Sequence, residues 1–393
     1  MSQPSLPVNQ ALPIDADRAV LVGRAWRPDV AGPAVVTLRD GRIIDITSKQ
    51  CPTVADVLNQ DDPTAWTRNA VGEAIGEADA LLANSDEAAR NPKRPWLLAP
   101  VDLQAVKAAG VTFIASLLER VIEEQARGST DKVAGIRADL ERVIGSDLSK
   151  LKPGSRAAEA VKQTLIKRGV WSQYLEVGIG PDAEIFTKAQ PMSAVGSGSW
   201  IGIHPESTWN NPEPEIALAV SSKGNIAGAT LGNDVNLRDF EGRSALLLGR
   251  AKDNNASCSL GPLIRLFDAH FTLDHIRAAE VDLTVRGEDG FVLQGTSSMK
   301  KISRDPVDLV DAAMGKNHQY PDGFTLLLGT MFVPVQDRDA PGKGFTHKTG
   351  DIVSIHTPLL GTLCNAVRHC PDCPPWAFGI SALMRNLAGR TLL

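Results

Sequence analysis

The sequence predicts an α+β fold, with a mainly β portion over residues 171–393 preceded by a smaller α/β portion over residues 1–170. Three observations carry this. Apolar residues recur at helical spacing through roughly 100–170. After Trp171 glycines become dense, extended segments are short and turn signals come often. Near the start, Ala34–Leu38, the dipeptide Asp40-Gly41 and Ile43–Ile46 read as a β-hairpin.

Taken in order, residues 16–47 read as extended, and residues 53–95 as polar sequence with short helical patches. Ile114, Leu118, Val121 and Ile122 form one stripe through Val111–Ala126. A second helix is expected near Thr130–Ile144, with Val133, Ile136, Leu140 and Val143 on one face. Lys152-Pro153-Gly154 separates it from a third, which begins near Ser155 and stops before Gly169. Beyond Trp171, Glu215–Val220 is a strand, Ser222–Asn225 a turn, and Ile226–Leu231 the return. Phe324–Leu328, Ile352–His356 and Leu359–Val367 are also expected to be extended.

Composition narrows the function. Apolar residues make up 43% and charged residues 22% of 393, ordinary globular usage. The net charge is −5 with no long basic run, which argues against nucleic acid as a partner. No stretch approaches the roughly 18 uninterrupted apolar residues of a membrane helix. Met1–Asp15 lacks a charged segment followed by an apolar one, so no secretory signal is expected. Five cysteines, sparse and odd in number, suit a reducing cytoplasm. Cys370 and Cys373 form a Cys-x-x-Cys among prolines, with no second pair at zinc spacing, and read as a loop feature.

The chemistry-bearing segment is Asn211–Val220, which holds the only Glu-x-Glu in the chain, Glu213 and Glu215. Two apart on a strand, these side chains share a face and repel unless a cation neutralises them. A hard divalent ion prefers such carboxylate oxygens. The pair alone reads more simply as a solvated strand edge blunted by Pro212 and Pro214. A third carboxylate, Asp234, follows just past the turn, then Arg238-Asp239 and Lys252. A local ion pair would equally explain Arg238-Asp239, and a surface position would explain Lys252.

The ordered run of Glu-x-Glu, Asn233-Asp-Val-x-x-Arg238-Asp239, then Lys252 before Leu260-Gly261-Pro262 resembles the fumarylacetoacetate hydrolase superfamily. So do Gly329-Thr330, Gly350-Asp351, Leu360–Asn365 and the upstream Glu184-Ile-Phe-Thr-Lys188. The resemblance covers roughly 171–367 and implies a mixed β-roll for the mainly β portion. It implies Glu213, Glu215 and Asp234 as ligands of Mg²⁺, with Mn²⁺ or Ca²⁺ as alternatives. It places Arg238 at a substrate carboxylate, Lys252 as a cationic or proton-transferring group, and Gly329 with Thr330 at a substrate oxygen. It also implies a homo-oligomer, a dimer or a dimer of dimers. The chain departs from the family at Leu328-Gly-Thr-Met331, where Thr-Gly-Thr-Pro is usual, and at Glu241, where many members carry Gln. All seven histidines lie at or after His204, so the His-x-x-Glu of the acylpyruvate-cleaving members is not evident in the helical segment.

A 2-oxo acid would chelate such an ion, which polarises the C2 carbonyl and acidifies the C3 protons. The missing dyad favours dehydration of a 2-keto-3-deoxy pentonate to 2-oxoglutarate semialdehyde, as in non-phosphorylative sugar catabolism. The spacings of 19 residues from Glu215 to Asp234 and 18 from Asp234 to Lys252, and the start Ala109–Phe113, resemble the same branch of the family. Glu184 and Lys252 are the expected base and acid. The alternative is C–C bond hydrolysis of an acylpyruvate or a 2,4-diketo-3-deoxy acid; a further one is a non-enzymatic metal-binding member. Glu119, Glu123 and Glu124 read as a solvated helix face rather than a lid, and His204 as a structural residue at a strand end.

Overall fold

A computed structural model describes residues 10–126, 151–167, 169, 171–330, 332, 334, 336–341 and 344–393. The side chains of Ile114, Ala115 and Glu123 fall outside this description, and so does the helix expected near Thr130–Ile144.

Alternation and turn chemistry set the first strands: β1 (Leu21–Arg27), β2 (Gly32–Arg39) and β3 (Arg42–Asp45) form a meander. The hairpin at Asp40-Gly41 is as expected, with φ of 49° and 73° at the two turn residues. The short helices α1 (Val54–Leu58), α2 (Pro63–Asn69) and α3 (Ala78–Asn84) follow, with β4 (Glu73–Glu77) between the last two. Thr53 and Asp56 close a capping box at the start of α1. Next come β5 (Trp96–Leu97), β6 (Ala105–Gly110) and α4 (Ile114–Ala126). After the undescribed stretch, α5 (Arg156–Lys167) stops before Gly169, which holds the left-handed φ expected of a C-terminal cap. Helix α6 (Gln173–Ile179) completes the helical segment.

The later strands are β7 (Glu184–Ala189), β8 (Trp200–Ile203), β9 (Asn210–Asn211), β10 (Pro214–Val220), β11 (Ile226–Asp234) and β12 (Asn236–Leu237). After α7 (Arg238–Glu241) and α8 (Leu248–Lys252) come β13 (Cys258–Leu266), α9 (Leu273–Arg277), β14 (Glu280–Arg286) and β15 (Val292–Ser298). The chain ends with α10 (Pro306–Ala313), β16 (Phe324–Leu327), β17 (Ile352–Thr357), β18 (Gly361–His369) and α11 (Ile380–Gly389).

Among the described residues, one sheet runs β4-β3-β2-β1-β13-β11-β10-β16-β6-β7, with β5 paired to β1. A second runs β15-β14-β17-β18-β8, and neither closes on itself. The fold is thus α+β and sheet-dominated, as the sequence predicts. Strands from both sides of residue 170 share the larger sheet: β1 pairs with β13, and β6 with β16.

Strand β10 shows why the sheets stack. Ile216, Leu218 and Val220 point into the core between the two sheets, with Leu283, Ile355 and Leu363. Ala217 and Ala219 point the other way, into a core that α1 covers with Val54, Val57 and Leu58. A strand buried on both faces reads as a continuous apolar run. This double burial fixes the register of β10, so the positions of Glu213 and Glu215 at its start are fixed as well.

Candidate active site

The site is built where the ends of β11, β10, β16, β6 and β7 lie side by side. Antiparallel pairing sets Pro214 opposite Asn233 and Glu215 opposite Gly232, which brings the end of β11 to the start of β10. The Asp234 amide donates to the Glu213 carbonyl at 3.0 Å. Glu213, Glu215 and Asp234 are buried, and each offers a carboxylate oxygen within 4.8 Å of the others. Glu213 itself lies just before the strand, yet it remains beside Glu215.

Two glycines shape the wall. The Gly329 amide, in a loop with φ of 92°, donates to Glu215 Oε2 at 2.7 Å. Any Cβ at Gly329 would collide with the Thr112 hydroxyl. A Cβ at Gly110 would run into the Glu184 carboxylate, which packs directly on that backbone. Gly110 and Glu184 are register partners at the ends of β6 and β7.

Cations surround the triad. Lys252, at the end of α8, reaches Glu213 at 2.5 Å and Asp234 at 3.2 Å. It is buried, so the surface reading of this lysine does not hold. Lys188 on β7 reaches Asp234 Oδ1 at 2.9 Å and donates to the Val235 carbonyl at 3.0 Å and to the Lys252 carbonyl. Arg120 on α4 contacts Glu213 and lies 3.3 Å from Glu241. A small, partly open cavity is lined by Gly110, Arg120, Glu184, the triad, Glu241, Lys252 and Thr330, with a few neighbours.

Burial and charge set these groups apart. Burial, then Asp234 and Glu213 beside it, push the Glu215 carboxyl well above the usual carboxylate range. Burial also disfavours the Asp234 charge, but Lys188 and Lys252 outweigh it and hold that carboxyl low. Burial and the neighbouring Glu241 lift Glu184 to about 7, against the pull of Arg120 and Lys252. Burial disfavours the Lys252 cation, yet Asp234, Glu213 and Glu241 outweigh it and raise its affinity for the proton. Five carboxyl groups line the cavity, against Arg120 and Lys252 in the wall and Lys188 behind Asp234. Acidic groups thus outnumber the cations around them, which favours a bound cation. Clustered hard oxygen donors of this kind fit Mg²⁺, Mn²⁺ or Ca²⁺.

Other residues singled out in the sequence are placed as follows. Thr330 lines the cavity, and its hydroxyl donates to the Phe332 carbonyl at 3.1 Å and the Pro214 carbonyl at 3.3 Å. Arg238 is buried outside the cavity wall, stacked over Trp209 at 5.2 Å and donating to the Pro334 carbonyl at 3.3 Å. Asp239 does not pair with it locally; it accepts from the Ser207 hydroxyl and the Thr208 amide, each at 2.8 Å. Asp351 is fully buried and accepts two hydrogen bonds from Arg338 at 2.7 Å, so Gly350-Asp351 anchors a neighbouring loop. His204 directly follows β8 and packs edge-on against Phe240. Glu119 is buried, which corrects its reading as part of a solvated face. The sequence reading missed Arg120 and gave Lys188 no role; the spacing of Ser116 and Arg120, four apart and both on the cavity wall, was the available signal.

Residues 179–368 match the family described as fumarylacetoacetate (FAA) hydrolase, C-terminal. A 2-dehydro-3-deoxy-D-arabinonate dehydratase of Saccharolobus solfataricus is 30% identical over 233 residues, covering 58% of this chain and 72% of the relative. A probable 2-keto-3-deoxyxylonate dehydratase of Haloferax volcanii is 30% identical over 194 residues, 49% of this chain and 63% of the relative. The chain therefore spans less than two thirds of the second relative. Among solved structures, a 2-keto-3-deoxy-D-arabinonate dehydratase complexed with magnesium and 2,5-dioxopentanoate superposes with a TM-score of 0.60 at 22% identity, over 89% of this chain and 99% of that one. A 5-carboxymethyl-2-hydroxymuconate delta-isomerase from Mycobacterium smegmatis gives 0.52 at 20%, over 89% and 98%. At these identities the structures establish the fold alone.

The fold, the buried carboxylate triad and these relatives define a metal-dependent enzyme of the lyase class. The chain belongs to the fumarylacetoacetate hydrolase family, whose β-roll its two stacked sheets form.

Proposed function

We propose that the chain is a Mg²⁺-dependent dehydratase that converts a 2-keto-3-deoxy pentonate to 2-oxoglutarate semialdehyde and water. One observation carries the proposal: half-buried Glu184, whose carboxyl is lifted to about 7, and buried Lys252, held cationic by its carboxylate neighbours, line one cavity with three clustered carboxylates. The names of both relatives support the substrate class. The structural neighbour holding magnesium and 2,5-dioxopentanoate supports the ion and the product.

Glu213, Glu215 and Asp234 would hold the ion, which when bound polarises the C2 carbonyl of the 2-oxo acid. Glu184, half ionised near pH 7, takes the C3 proton. Lys252, kept cationic by its carboxylate neighbours, gives a proton to the departing C4 hydroxyl. The C3–H and C4–O bonds break and water leaves; transfer of a proton from C5 to C3 gives the C4=C5 enol, and transfer of the enol O–H proton to C4 gives the aldehyde. Thr330 and the Gly329 loop orient the 2-oxo acid against the start of β10.

The discriminating assay supplies 2-keto-3-deoxy-D-arabinonate and -xylonate to the Mg²⁺-loaded protein. Semialdehyde formation, read by a coupled aldehyde dehydrogenase, is the expected outcome. Release of pyruvate from an acylpyruvate, with no semialdehyde from either pentonate, would instead establish C–C hydrolysis.

A further inference from the structure

Arg120 is the wall cation whose partners are divided between the triad and another group. It contacts Glu213 through one guanidinium nitrogen and faces Glu241 at 3.3 Å through the other. Lys252 is bound on both sides by triad members, Glu213 and Asp234, and Lys188 is tied to Asp234 and to two backbone carbonyls. A divalent ion among the three carboxylates draws on the same Glu213 oxygens that Arg120 and Lys252 share. Arg120 has, in Glu241 at 3.3 Å, an ion-pair partner outside the triad that would keep it paired if Glu213 served the ion.

We infer that Arg120 is the residue that binds the substrate carboxylate and selects an anionic 2-oxo acid, a role the family resemblance implies for Arg238. The inference rests on the 2-oxo acid reading above. The planar fork of a guanidinium matches a carboxylate. Held by Glu241, the group lines the same cavity as Glu184, Lys252 and Thr330. Arg238 is not on that wall, and its guanidinium stacks on Trp209. Helix α4 delivers Arg120 from one face: Leu117 and Val121 are buried in the cluster with α5 and α6, while Ser116 and Arg120 line the cavity. Substrate charge is therefore read by a helix, separately from the strand ends that hold the ion.

The test measures binding by calorimetry on Mg²⁺-loaded wild type, Arg120→Gln and Arg120→Lys. The ligands are pyruvate and its uncharged methyl ester. Wild type should prefer pyruvate. In Arg120→Gln, pyruvate should weaken about thirtyfold or more, the loss expected when one partner of a buried charge pair is removed, while ester and Mg²⁺ affinities stay within about threefold. Arg120→Lys should recover part of the preference. Retention of the full preference for pyruvate in Arg120→Gln overturns the assignment and leaves the function standing. Loss of Mg²⁺ binding in Arg120→Gln also overturns it, by making the arginine a support for Glu213. Absence of any Mg²⁺-dependent pyruvate binding by wild type overturns the 2-oxo acid reading, and this assignment with it.

Discussion

Glu215 shows how much a single side chain depends on its neighbours. Its carboxyl is buried beside two others and meets the protein through the Gly329 amide, so its ordinary proton affinity cannot survive. Glu215→Gln keeps the shape and removes the charge. It should weaken Mg²⁺ binding by about a hundredfold, the upper range for disturbing a metal's coordination surroundings, and abolish metal-dependent turnover. Calorimetry with Mg²⁺ decides this, and an unchanged rate would remove Glu215 from the ligand set. Glu184 makes a separate prediction. It is lifted to about 7, so the carboxylate form needed for proton abstraction grows in as pH rises through that value. The kcat/KM profile should therefore climb between about pH 6 and 8 before levelling. Glu184→Gln should lose this limb and most of the rate; a limb that persists in the variant would assign it to another group. Glu215 stands out in the sequence through its local spacing to Glu213 and Asp234, whereas Glu184 is singled out only through the family resemblance. Arg120 does not stand out, because its role exists only where α4 crosses to Glu213 and Glu241. Glu119 was misread for the same reason: a helix period shows which residues share a face, but not that a polar face is covered.

At the scale of elements, the hairpins and helices with strong local signals were legible. The Asp40-Gly41 turn and the Gly169 stop both form where turn and cap chemistry places them. Strand β13 was not. Its Ser259-Leu260-Gly261-Pro262 sequence argues against a central strand, since proline has no amide to give the ladder. The sheet accommodates it because the register between β11 and β13 shifts between Ala229 and Leu231, beside Gly261. Strand ends also explain the glycines of the site. Gly110 lets β6 approach β7 closely enough for the Glu184 carboxylate to lie on its backbone. Gly110→Ala should displace that carboxylate, costing about 1–3 kcal/mol in stability as overpacking does, and lowering kcat at least about tenfold. Thermal unfolding and steady-state kinetics measure the two effects. Gly315→Ala is the matched control, because a Cβ there meets nothing within 4 Å. Equal behaviour of the two variants would refute the steric account.

The whole molecule is organised by one sheet rather than by the change in sequence character near residue 170. That change is real: helices α4 to α6 bury their own cluster, including Leu117, Leu165 and Leu175. Composition along the chain cannot reveal, however, that β1 will pair with β13 or β6 with β16, because those partners lie more than two hundred residues apart. A split there would leave β13 and β16 as open edges in the middle of a buried sheet, with unpaired amides and carbonyls. Glu213 and Glu215 would stay on β10, but β16, which carries the Gly329 loop, would lose its parallel neighbour β6 and the Thr112 hydroxyl that donates to the Leu328 carbonyl at 2.6 Å. The two portions should therefore unfold together. In a denaturant titration, far-ultraviolet circular dichroism and tryptophan fluorescence should give one coincident transition. Trp26 and Trp96 report from the first portion, Trp200 and Trp209 from the second. Two resolved transitions, or a fragment 171–393 that folds and binds Mg²⁺ by itself, would show that the β-roll is autonomous. A single transition would mean that a destabilising change in the β1–β2 hairpin reaches the carboxylate triad through β13 and β11, without touching any residue of the site.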